Sequence, residues 1–243
     1  MKVIAIIQAR MGSTRLPGKI LKKVMGKTLL EYQLERVRQS KLIDEIIVAT
    51  TVKESDREIV DLCNALGVRV YRGSEQDVLA RYYEAAIENG AEVIVRLTSD
   101  CPLIDPEVIS MVIKGFLEEK GGVDYVSNTL TRTFPRGLDI EVFSYGALEK
   151  SHLLGKDSNF REHVTAFMYN HPDMFKLKNI LYHHDESNHR WTVDTIEDYY
   201  LVKRVIESLY PQNQRFLLKD VLTVLKENPE WVKLNAHIEQ KKI

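Results

Sequence analysis

The stretch that most constrains this chain runs from Val3 to Lys19, VIAIIQARMGSTRLPGK. Val3 to Ile7 is apolar and uncharged, the pattern of a strand buried on both faces, and it opens into a loop holding two glycines, one proline and three cations. A strand of that kind needs a layer on each side. Gly12 and Gly18 let backbone N–H groups approach an anion without a Cβ in the way, and Arg10, Arg15 and Lys19 supply charge that can follow a triphosphate. The spacing is not that of a Walker loop: five residues separate Gly12 from Gly18, Ile20 follows Lys19, and Pro17 lacks an N–H. The three-glycine dinucleotide fingerprint is absent as well. The bland alternative is a basic surface loop after a core strand.

Downstream, strands and helices alternate. Thr28 with Glu31 forms a capping pattern for a helix ending near Ser40, and Ile46–Ala49 reads as a second buried strand opening into Thr50-Thr51. Ser55 with Glu58 repeats the capping pattern for a helix to Leu66, closed by Gly67. Val68–Tyr71 is a third strand, and Arg72-Gly73-Ser74 turns into a helix from Asp77 to Asn89. Val93–Leu97 is a fourth strand, ending at Thr98-Ser99-Asp100, and Asp105-Pro106 opens a helix to about Glu119. This alternation predicts an α/β fold, a Rossmann-like, doubly wound, mainly parallel sheet with ligands at the strands' carboxyl ends.

From Tyr125 the rhythm changes. Leu138–Phe143 alternates polar and apolar as a half-buried strand, helices are expected over Gly146–Leu153 and Asn159–Tyr169, and Lys176–Tyr182 reads as a strand. Residues 128–189 thus read as an insertion of mixed α+β character. Trp191-Thr192-Val193 is expected to return to the core sheet, with Thr195 capping a helix to Leu209. Residues 212–243 form a helical tail, amphipathic from Leu217 to Leu234 and frayed over the charged Glu239–Lys242.

Composition excludes more than it selects. The 243 residues fit one α/β domain, and 34 Lys plus Arg against 35 Asp plus Glu leave a formal charge of -1, with no global field for nucleic acid or a membrane surface. No apolar run is long enough to cross a bilayer, and the N-terminus has neither the apolar core nor the cleavage site of a signal peptide, so a cytoplasmic location is expected. Cys63 and Cys101 fit neither a disulfide scaffold nor a zinc set; both read as buried.

Two carboxylates stand at expected strand ends, Asp100 and Asp194. Each alone could be a helix cap. As a pair beside a phosphate loop they point to Mg2+, which takes one or two carboxylates and completes its shell with water and phosphate oxygens. The chemistry that follows is nucleotidyl transfer, in which an acceptor oxygen attacks the α-phosphorus of a nucleoside triphosphate and diphosphate leaves. Arg81 can either reach the site or pair with Asp77 on its own helix. His183, His184 and His189, beside Asp185 and Glu186, lack a helical repeat and read as a polar loop. Nucleotide-sugar glycosyl transfer shares this sheet plan, but its Asp-x-Asp metal pair does not occur in the sequence. A binding protein that kept the fold and lost the chemistry is a third reading.

The opening strand, Ala9-Arg10, the small-residue turn and Arg15-Leu16-Pro17-Gly18-Lys19 resemble the signature of the sugar-activating cytidylyltransferases, which load keto-deoxy-octulosonate or acylneuraminate onto CMP. Across the chain the resemblance is to their spore-coat polysaccharide branch. It implies catalytic roles for Arg10, Arg15, Lys19, Asp100 and Asp194, with Mg2+ held by the two Asp. Ser99 stands where many relatives have Gly. It also implies CTP bound by Ala9, Arg10, Gly12, Ser13, Arg15, Lys19, Thr50, Gly73, Ser74 and Thr98. Pro135–Val142 resembles the branch's acceptor segment, which would give an acidic sugar to Arg136, Glu141, Arg161 and His163. On the residues alone, Asp139 and Glu141 could equally be the solvated face of an edge strand, and His163 a capped helix residue. A homodimer built through the insertion is the implied assembly.

Overall fold

In the computed structural model, which describes residues 1–239, a seven-stranded sheet carries the fold. Its parallel half consists of β1 (Val3–Gln8), β4 (Glu45–Thr51), β5 (Arg69–Gly73) and β6 (Val93–Thr98), ordered β5-β4-β1-β6. A separate two-stranded ribbon, β2 (Lys23–Val24) and β3 (Lys27–Thr28), lies between β1 and β4 in sequence. On the other side of β6 the sheet turns mixed: β8 (Glu141–Ser144) pairs antiparallel with β6 and β7 (Tyr125–Ser127), and β9 (Leu177–Asn179) pairs parallel with β7 at the edge. The expected insertion therefore extends the main sheet.

β1 is central and buried on both faces, as its uncharged run requires. Val3, Ala5 and Ile7 pack into one apolar layer and Ile4 and Ile6 into the other. Each fully buried aliphatic side chain contributes about 1.5–3 kcal/mol relative to exposure. The first layer holds α1 (Leu29–Val37), α2 (Arg57–Ala65) and α4 (Pro106–Leu117); the second holds α3 (Val78–Glu88), α5 (Tyr145–Leu154) and the short α7 (Ala166–Asn170), which follows α6 (Ser158–Glu162). α8 (Ile196–Leu209) and α9 (Leu218–Glu227) close the first layer, followed by α10 (Pro229–Val232). No helix among the described residues is long and apolar enough to cross a membrane.

Local signals hold where the caps are satisfied. Thr28 and Glu31 form the reciprocal box on α1, Thr195 and Asp198 form one on α8, and Asp77 and Asp105 cap α3 and α4. The Ser55–Glu58 box does not form. A 3-10 turn over Glu54–Asp56 leads into α2 instead, and Asp56 is its cap residue without bonding the helix amides. The expected helix over 159–169 breaks into α6 and α7 at Val164, a buried β-branched residue at φ 36°. The amphipathic run 217–234 breaks at Asn228-Pro229 into α9 and α10. The strand expected over 176–182 shortens to β9, and Gln240–Lys242 of the tail lie outside the described residues.

Trp191-Thr192-Val193 does not rejoin the sheet; a lone parallel bridge from Arg190 to Arg136 is its nearest β pairing. The reason lies in Gly137, at φ 101°, where an added Cβ would stand 2.7 Å from the Thr192 nitrogen and from the Trp191 carbonyl carbon. The two backbones lie against each other, and only a residue without a side chain fits. Gly137→Ala should cost about 2–3 kcal/mol through overpacking and a left-handed conformation, a fall of roughly 4–12 °C in Tm. An unchanged calorimetric midpoint would contradict this packing.

Candidate active site

Three carboxyl ends of the parallel strands meet. After β1, the Ala9 amide donates to the Ala49 carbonyl at 3.1 Å, and the Met11 amide donates to Asp56 Oδ1 at 2.8 Å. Asp56 is in turn held by the Thr51 hydroxyl at 2.5 Å and the Thr50 hydroxyl at 3.3 Å, so the start of the loop is clamped to the end of β4. Gly18 closes the loop, at φ 64° and with its amide on the Met11 carbonyl. Among the described residues the amides of Gly12, Thr14 and Arg15 donate to no protein acceptor.

The third, after β6, is stitched directly to the loop that carries Asp194, which follows no strand. The Val193 amide donates to the Asp100 carbonyl at 2.8 Å, and Gln33 of α1, fully buried, donates to the Thr98 carbonyl at 2.7 Å. This brings Asp100 and Asp194, distant in sequence, onto one cation. Lys19 Nζ donates to Asp100 Oδ2 at 2.8 Å and to Asp194 Oδ1 at 2.7 Å. Asp194 Oδ2 accepts from Arg190 at 2.8 Å and pairs with Arg15 at 3.0 Å. Burial alone would lower the Lys19 pKa, but Asp100 and Asp194 outweigh it and hold the ammonium above the ordinary lysine value. Burial alone would raise the Asp100 carboxyl, but Lys19 outweighs it and holds it below the usual range. Two carboxylate oxygens within 2.8 Å of one nitrogen show that a single cation fits between them, and oxygen donors of this kind suit magnesium.

Around this pair opens a cleft of about 540 Å³, an ordinary size for a ligand pocket. Ala9, Arg10, Gly12, Ser13, Arg15, Lys19, Thr98, Asp100, Asp194 and His163 all line it. Six expected residues do not. Thr50 is fully buried and bonded to Asp56; Gly73 is buried beneath Tyr71 and Arg81; Ser74 spends its carbonyl on Arg81 and its hydroxyl on the Asp77 amide. Arg161 pairs with Asp77 through two nitrogens at 2.9 and 2.5 Å. Glu141 is buried, not on a solvated face: it pairs with Arg96 and accepts from Tyr125 at 2.6 Å and Thr165 at 2.5 Å. Arg136 is half-buried beside Arg132 and Arg190, with its amide on the His189 carbonyl.

Arg81 reaches the cleft; its Asp77 partnership is taken by Arg161. Its Nε is buried with no protein partner, as is that of Arg96, another cation on the wall. Arg190, which sequence reasoning passed over, grips Asp194; its only signal was a place four residues before that Asp, outside any helix. Cys101 is buried against Thr98 and Asp100, and burial pushes its thiol well up, so it is no nucleophile. His183 and His184 are exposed, and no group of three or more His, Cys, Asp or Glu among the described residues is placed to hold a metal.

Comparison with known proteins gives a consistent set. A family profile described as cytidylyltransferase matches residues 4–240. An uncharacterized protein of Methanocaldococcus jannaschii is 42% identical over 99% of this chain and 97% of its own. The spore coat polysaccharide biosynthesis protein SpsF of Bacillus subtilis is 33% identical over 94% of this chain and 95% of its own. The structure of a cytidylyltransferase from Leptospira borgpetersenii superposes with a TM-score of 0.92 at 37% identity, covering 100% of both chains.

Proposed function

The chain belongs to the cytidylyltransferase family and is a nucleotidyltransferase, and on that premise we propose that it transfers CMP from CTP to a sugar or sugar-like acid, with Mg2+, for polysaccharide biosynthesis. The observation that carries this reading is the convergence of Asp100 and Asp194 on one cation beside a loop whose Gly12, Thr14 and Arg15 amides bond no described protein acceptor.

Arg10 and Arg15 hold the β- and γ-phosphates against the open amides, with Lys19 able to join them. Asp100 and Asp194 would hold a magnesium ion, which when bound would neutralise phosphate charge. The acceptor hydroxyl oxygen attacks the α-phosphorus in line and releases its proton to solvent, its bond to phosphorus forms as the bond to the β-phosphate breaks, and diphosphate leaves with the electron pair. The chain supplies position and charge, with no protein nucleophile. His163, which lines the cleft, is assigned to the acceptor; Arg136, outside the cleft lining but bridged through its backbone to Arg190, is assigned to the acceptor's acidic group. Glu141 and Arg161 support that wall through their partners Arg96 and Asp77. The setting is a cytoplasmic homodimer.

The test is diphosphate release from CTP, UTP, ATP and GTP with Mg2+ against a panel of acidic sugars, phosphonates and sugar phosphates. CTP with an acidic acceptor should support release. Release from another nucleotide alone would overturn the base assignment, and CTP binding without release across the panel would favour a binding protein.

A further inference from the structure

The cation seated between Asp100 and Asp194 is the protein's own. Lys19 is rooted at the start of a 3-10 turn, with its amide on the Leu16 carbonyl and its carbonyl accepting from Lys22, so the backbone is fixed while the four-carbon stem can swing. Its side chain is only 12% exposed. The two acids are not equally dependent on it. Asp194 has Arg15 and Arg190 on its other oxygen, whereas no other described cation pairs with Asp100. The carboxylates are already neutralised from within, and an incoming divalent ion must displace an ammonium with two short hydrogen bonds.

We propose that Lys19 is a built-in occupant of the metal position: it holds Asp100 and Asp194 together in the free enzyme, keeps a divalent ion out, and releases the pair when the triphosphate draws its ammonium away. This rests on the nucleotidyl-transfer reading and adds an order to it. The same displacement makes nucleotide and metal binding mutually reinforcing, since whatever factor the triphosphate adds to metal affinity the metal must add to triphosphate affinity. A free enzyme of this design ignores metal without nucleotide. Arg15, also on Asp194 but outside the shared position, serves as the control for charge alone.

The experiment titrates Mn2+ alone into the intact protein, with free ion counted by electron paramagnetic resonance, for wild type, Lys19→Met, Lys19→Arg and Arg15→Met. Lys19→Met should bind Mn2+ about tenfold tighter than wild type, within the usual span of coupling factors. Lys19→Arg, which keeps the cation, should stay near wild type, and Arg15→Met should gain less. Calorimetry of CTP should show metal tightening nucleotide binding in wild type and a collapsed factor in Lys19→Met. Equal or weaker Mn2+ binding by folded Lys19→Met overturns the proposal while leaving the transferase reading intact. Failure of wild type to bind CTP with metal sinks the reading itself. If Lys19→Met loses its circular dichroism signature, Lys19→Gln carries the same expected sign.

Discussion

Replacing Asp100 or Asp194 with Asn should lower diphosphate release from CTP by about 10³-fold or more, with the fold retained. Both residues sit on loops outside the strands and helices, with side chains 21% and 14% exposed, so neither amide creates a cavity. What each substitution removes is one negative charge from a cluster in which Lys19, Arg15 and Arg190 face two carboxylates. With Asp198 on Arg190 counted, three cations face three acids, so either substitution leaves an excess of cations, and the position between the loops no longer attracts a further positive ion. The two variants should differ in a second respect. Asp194→Asn leaves Arg190 with Asp198 as its described acidic partner, whereas Asp100→Asn leaves the Arg190 network untouched. Nucleotide binding should survive better in Asp100→Asn, because Arg15 and Arg190 keep Asp194 as their partner and only Lys19 loses a contact. Comparable turnover in either variant, measured with saturating CTP and Mg2+, would remove that carboxylate from the chemistry.

The largest loss of stability is expected at Asp198, which is fully buried. One oxygen accepts from Arg190 Nε at 2.9 Å and from Asn235 at 2.8 Å; the other accepts from the amides of Asp194 and Thr195 at 2.9 and 3.0 Å. It thus closes the capping box of α8, fixes the turn that presents Asp194, neutralises Arg190 and ties down the C-terminal segment. Asp198→Ala leaves the Arg190 guanidinium, only 7% exposed, with one acidic partner and two amides without an acceptor. About 3–5 kcal/mol should be lost. The pH dependence has a definite sign. Burial alone would raise the Asp198 carboxyl, but Arg190, Asn235 and the Asp194 amide outweigh it and depress its pKa. The unfolded chain then holds that proton more tightly, so the contribution is complete above about pH 4 and fades as acid titrates the folded group. Denaturant midpoints of wild type and Asp198→Ala should therefore be far apart at pH 7 and converge in acid. A constant gap across pH would mean that the ionised carboxylate is not what stabilises the network.

What was legible in the sequence was what neighbours along the chain decide. Val3–Ile7 had to be covered on both faces, and Thr28-x-x-Glu31 had its amides within reach. The loop residues and Asp100 reached the cleft because strand ends of a parallel sheet share one edge, whereas Asp194 comes from a loop outside the sheet that the Val193 amide ties to the Asp100 carbonyl. What was lost depended on distant partners. Ser55 and Glu58 are sound capping residues, but Asp56 is claimed by Met11, Thr50 and Thr51 and reshapes the turn. Arg161 and Glu141 look like free surface charges until Asp77 and Arg96 arrive from other strands and helices. Trp191–Val193 has β-forming residues, yet its backbone is spent against Gly137 and Asp100. Reading Leu217–Leu234 as one helix misses the break at Pro229, where the residue before proline leaves the helical region.

The most direct test of nucleotidyl transfer follows the phosphorus atoms. CTP labelled at the α-phosphate should deliver its label to the acceptor as a CMP conjugate, while CTP labelled at the γ-phosphate should yield labelled diphosphate and an unlabelled product. Label passing from the γ-position to the acceptor, with CDP left behind, would make the enzyme a phosphotransferase and contradict the role assigned to Asp100, Asp194 and the loop between Ala9 and Lys19.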